Sequence, residues 1–73
     1  MMTTEEVADR LYEMIEEVKG KKKYTPRELQ SMAMEAFGDD VDKKTCKNAV
    51  KLLTSSGRCL YSMYGGVSYV EIP

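Results

Sequence analysis

The sequence predicts an α+β fold in which three helices precede a small antiparallel β-hairpin. Three observations predict it. Apolar residues recur at helical spacing in three separate stretches ahead of Gly57. Each stretch opens on a Thr or Asp placed to cap a helix. Beyond Gly57 the apolar period falls to two, on either side of Gly65-Gly66.

The first helix is expected over about residues 4–18. Thr3 and Glu6 have the spacing of a capping box, in which side chains and end N–H groups satisfy one another. Val7, Leu11, Met14, Ile15 and Val18 form one apolar stripe. The opposite face is acidic: residues 3–18 hold six carboxylates (Glu5, Glu6, Asp9, Glu13, Glu16, Glu17) against Arg10 alone. Gly20 is the expected end. Lys21-Lys22-Lys23-Tyr24 then reads either as a loop or as a short edge strand with Tyr24 packing inward.

Thr25-Pro26-Arg27-Glu28 is a stronger start signal, with Thr at the cap, Pro at the first helical position and Glu at the third. It predicts a second helix over about 26–37, with Leu29, Met32, Ala33, Ala36 and Phe37 on its apolar face and Gly38 as its stop. Gly38 to Val41 reads as a turn. Asp42 caps the third helix, expected over about 43–56, with Val41 placed as a staple. Cys46, Ala49, Val50 and Leu53 fall at i, i+3, i+4 and i+7, and Leu52 widens the stripe. Gly57 closes it. The hairpin is expected over about 58–72, with Cys59, Tyr61, Val70 and Ile72 on a core face and Leu60, Ser62, Tyr64, Val67 and Tyr69 on the other.

Composition narrows function. The 73 residues fit one small domain, carry a net charge of -1 and include no histidine. A domain of this size buries only about 60% of its unfolded surface, which leaves a thin core and little room for a deep substrate pocket. Lacking histidine, the chain has no Ser-His-Asp triad, no Cys-His pair and no Cys2His2 zinc site. The expectation is a binding module, not an enzyme, with no cofactor. The acidic start Met-Met-Thr-Thr-Glu-Glu is unlike a signal peptide, and no apolar run is long enough for a membrane span. Two cysteines are too few for a secreted disulfide scaffold, so a cytoplasmic protein with reduced thiols is expected.

Charge is segregated along the chain. Residues 43–58 contain four lysines and Arg58 and no carboxylate, whereas the first helix is acidic. Opposite the apolar stripe of the third helix lie Lys44, Lys47, Asn48 and Lys51, at i, i+3, i+4 and i+7. Lysines neutralise phosphates, and an asparagine can donate to and accept from an adenine edge. The bland reading is a solvated helix face, and a pI of about 5.4 is lower than a dedicated DNA binder has.

The element order, together with Tyr24-Thr25-Pro26-Arg27-Glu28-Leu29, the stretch Lys43 to Leu53, Ser56-Gly57-Arg58 and the Gly65-Gly66 hairpin, resembles the winged helix-turn-helix superfamily over about residues 4–72. The resemblance implies a transcriptional regulator that binds double-stranded DNA. Its third helix enters the major groove, and its hairpin wing touches the backbone or minor groove. The site residues are then Lys43, Lys44, Lys47, Asn48, Lys51, Arg58 at the edge of the wing, and Tyr64 on it. Lys21 to Lys23 can serve as an accessory phosphate clamp. A dimer is expected, since one such module reads few base pairs. The alternative is a protein-interaction winged helix that binds no nucleic acid, through the acidic first helix or the Tyr64–Tyr69 face.

Cys46 and Cys59 read as core thiols, roughly 15 Å apart along a helix and beyond disulfide reach. The stretch from Tyr24-Thr25 through Ala36-Phe37-Gly38 to Thr45-Cys46 also resembles a family of very small bacterial proteins credited with metal binding. The histidines of that pattern are missing here, so no metal site is carried over.

Overall fold

In the structure, a computed structural model that describes residues 2–73, each helix begins where a side chain takes over an otherwise orphaned N–H group. Thr3 Oγ1 accepts from the Glu6 N–H at 3.2 Å and Glu6 Oε1 accepts from the Thr3 N–H at 3.1 Å, which starts α1 (Thr4–Glu17). The Thr25 and Glu28 pair does the same at 3.1 Å in both directions, with Pro26 as the first residue of α2 (Pro26–Phe37). Asp42 Oδ1 accepts from the Thr45 N–H at 2.7 Å and opens α3 (Lys43–Ser55).

The boundaries follow the sequence expectation with small differences. α1 ends at Glu17 with Val18 as its cap, and Gly20, at φ 83, makes the left-handed turn after it, which lets the Lys21 and Lys22 N–H groups reach the Val18 carbonyl at 2.9 and 3.0 Å. Gly38 has φ 50, a conformation L side chains rarely adopt, and it ends α2 by leading into a 3-10 turn over Gly38–Asp40.

The three apolar stripes converge on one core. Val7, Leu11 and Ile15 of α1 meet Leu29 and Ala33 of α2 and Cys46, Ala49, Val50 and Leu53 of α3, and Val41 is buried as well. No polar or charged residue is buried among the described residues, so burial of apolar surface supplies the driving force. Both cysteines are buried as free thiols.

Strands β1 (Leu60–Tyr64) and β2 (Val67–Glu71) pair antiparallel in the register Leu60↔Glu71, Tyr61↔Val70, Ser62↔Tyr69, Met63↔Ser68 and Tyr64↔Val67. Gly65 and Gly66 have φ 57 and 79, the two positive values that a type I′ two-residue turn requires. Tyr24 adds a one-residue bridge to the outer side of β2, where the Val70 N–H donates to its carbonyl at 2.8 Å. Residues 21–23 are turn and loop, and Tyr24 alone reaches the sheet, packing inward and buried as expected. Three helices followed by this hairpin form an α+β arrangement compatible with winged-helix topology.

Two packing expectations are corrected. Ala36 is exposed and not on the buried face of α2. Tyr61 is not a core residue either. From Cys59, just ahead of β1, exposure on that face climbs from 2% to 51% at Tyr61 and 67% at Met63, because the hairpin leaves the helices behind as it runs to its tip.

Candidate nucleic-acid interface

The α3 helix buries its Cys46, Ala49, Val50 and Leu53 stripe, so helical geometry turns the residues between outward. Lys43, Lys44, Lys47, Asn48 and Lys51 are all exposed. Among the described residues, none of the five enters an ion pair or a side-chain hydrogen bond. The result is a strip of four free ammonium groups with the Asn48 amide along one edge. Asp42, at the N-terminal end of the strip, is occupied by Thr45, whose hydroxyl and N–H together hold its carboxyl below the usual aspartate value.

The α2 helix contributes a residue that the charge pattern of α3 did not reveal. Arg27 lies with Gln30, Ser31 and Met34 along an open groove that Lys43 and Lys47 border on the α3 side. This places an arginine, the side chain best suited to bidentate contacts, beside the lysine strip. The signal was present in the spacing, since 27, 30, 31 and 34 form the outward stripe of α2. Glu35 on the same groove partly opposes the charge.

Arg58 has other partners. Its Nη1 donates to Asp9 Oδ1 at 2.7 Å, and its guanidinium lies 5.5 Å from the Tyr12 ring centroid. It ties the end of α3 to α1, and its side chain remains about a third exposed, at 36%.

The wing acquires its cation from outside the hairpin. Lys23 pairs with Glu71 and sits 4.1 Å from the Tyr64 ring centroid, while Tyr64 and Tyr69 have ring centroids 6.1 Å apart. The hydrogen bond from Lys23 depresses the Glu71 carboxyl, and the same bond raises the Lys23 pKa. Lys22 stacks on Tyr24 at 5.0 Å. Lys19, Lys21 and Lys22 line the cleft between this link and the hairpin. Tyr64 is exposed, as a contact residue must be.

Burial pushes both thiols up in pKa, Cys46 and Cys59 alike, which keeps them protonated and poorly nucleophilic. Among the described residues, no three His, Cys, Asp or Glu side chains converge as metal ligands would, and no helix is long and apolar enough to cross a membrane. No protein-family model, curated protein or solved structure matches this chain.

Proposed function

We propose that the protein binds double-stranded DNA, with α3 lying in the major groove and the wing against the backbone, as a small transcriptional regulator. One observation carries the reading: Lys44, Lys47 and Lys51 share the exposed face of α3 with Asn48, Lys43 lies at its α2 edge, and no carboxylate pairs with any of them. In this reading the lysines contact phosphates and Asn48 faces base edges. Arg27 extends the strip onto α2. On the wing, Lys23 and Tyr64 form the second contact, which divides Lys23 between Glu71 and a phosphate. Arg58 acts chiefly by holding α3 against α1.

The test is fluorescence anisotropy of a labelled duplex with the Lys44→Glu and Lys47→Glu variants. Both keep the thermal melt of the parent and lose binding. Retained affinity in a folded Lys47→Glu protein removes α3 from the interface.

A second reading is a protein-interaction module. It is favoured by the exposed Leu60, Tyr61, Met63, Tyr64 and Val67, which concentrate apolar surface on the hairpin. It predicts loss of the partner on Tyr64→Ala or Glu13→Lys, and no effect of Lys47→Glu.

A further inference from the structure

The hairpin has one covered edge and one open edge. The two-residue turn makes Tyr64↔Val67 a hydrogen-bonded pair, and alternation then makes Ser62↔Tyr69 and Leu60↔Glu71 hydrogen-bonded as well. Tyr61↔Val70 and Met63↔Ser68 are the non-bonded pairs, whose backbone groups point away from each other. On the β2 side this is observed directly, since the Val70 N–H is the group that reaches Tyr24. On the β1 side, the N–H and C=O groups of Tyr61 and Met63 point out along an edge with no neighbouring strand.

That edge is open and sticky. Leu60-Tyr61-Ser62-Met63-Tyr64 contains no charge and no proline, the two usual devices against edge pairing. Four of the exposed large apolar side chains, Leu60, Tyr61, Met63 and Tyr64, belong to this one strand.

We propose that β1 pairs antiparallel with β1 of a second copy of this chain about a two-fold axis at Ser62. This inference is independent of the DNA reading. The register follows from the outward groups. Tyr61 bonds Met63 of the other copy, Met63 bonds its Tyr61, and every outward N–H and C=O of the two residues finds a partner. Shifts that centre the axis on Tyr61 or on Met63 leave one of those residues unpaired. Side chains agree with the same register: Tyr61 falls opposite Met63, Leu60 opposite Tyr64, and Ser62 opposite Ser62, so no charge meets a like charge. The row that begins at buried Val70 and continues through exposed Tyr61 is carried on by the Met63 of the second copy, whose side chain packs alongside Tyr61. The interface is isologous and closed, so it gives a dimer and not a filament.

The experiment combines mass and cross-linking. Light scattering after gel filtration of the full chain should give twice the 8.3 kDa chain mass, shifting to the single-chain mass in Met63→Lys with an unchanged helical circular dichroism spectrum. Ser62 falls in a non-bonded pair with itself across the axis, with Cα atoms about 4.5 Å apart, within disulfide range. Ser62→Cys should therefore form a covalent dimer in oxidised glutathione, while Ser68→Cys on β2 and the parent with its buried thiols do not. A parent that stays at single-chain mass at the highest attainable concentration overturns the proposal. So does a dimer that survives Met63→Lys and leaves Ser62→Cys unlinked, since its interface then lies elsewhere.

Discussion

The Val70 N–H donates to the Tyr24 carbonyl, and this single bond fastens the lysine-rich link between α1 and α2 to β2 of the wing. Its consequence is that Lys23, next in the chain to Tyr24, reaches Glu71 and the Tyr64 ring. The hairpin itself contains no lysine or arginine, so the wing's positive charge depends on this tether.

On the proposed DNA reading, Lys23→Ala should therefore weaken binding without unfolding the protein. The ion pair with Glu71 is exposed to solvent, and such pairs contribute little to stability. The thermal melt should move little. If Lys23 contacts a phosphate, the slope of log affinity against log salt should become shallower by about 1. An unchanged slope would remove Lys23 from the interface.

Tyr24→Ala, by contrast, removes a buried ring. Truncating a buried aromatic costs about 3 kcal/mol, a large part of what a chain of this size has. Urea denaturation should show a midpoint far below the parent's, and Tyr24→Phe should recover most of it.

The capping boxes are the local counterpart. Thr25→Ala removes the acceptor for the Glu28 N–H and should cost about 1 kcal/mol, a fall in melting temperature of about 4–8 °C for a domain this small. Thr25→Ser should melt like the parent.

Asp42 gives a dependence on pH. Its carboxyl is held below its ordinary value by the hydroxyl and N–H of Thr45, so the folded state favours the ionised form. Its contribution is therefore complete above the unfolded aspartate pKa of about 3.9 and is lost as pH falls through the lower folded value. Asp42→Asn keeps an acceptor that does not titrate. Thermal melts across the acid range should show the parent losing its advantage over Asp42→Asn below pH of about 4. A difference that stays constant across that range would contradict the assignment.

What the sequence carried was local. Thr3 with Glu6, Thr25-Pro26 with Glu28, and Asp42 each act within three residues, and each cap forms where spacing places it. Alternation in the hairpin correctly put Tyr61 on the same face as Val70, yet Tyr61 is half exposed. Periodicity states which way a side chain points, not how far the helices extend beneath it. The pairs Asp9–Arg58 and Lys23–Glu71 join residues 49 and 48 positions apart, and nothing in the pattern of either segment announces the other. For the candidate site, the α3 strip was legible because it lies on one helix. The Lys23 and Tyr64 contact was not, because it needs the Tyr24 bridge to bring two distant segments together.

The most direct test of the DNA reading is anisotropy of a random-sequence duplex titrated with the parent protein across a series of salt concentrations. Four lysines on phosphates predict a slope of log affinity against log salt of about −3.6, and more if Arg27 and Lys23 join them. Binding that falls off on that slope shows about four cations meeting phosphates, the number that the α3 strip supplies. No change in anisotropy at the lowest salt would contradict the account and leave Lys43, Lys44, Lys47 and Lys51 as a solvated helix face.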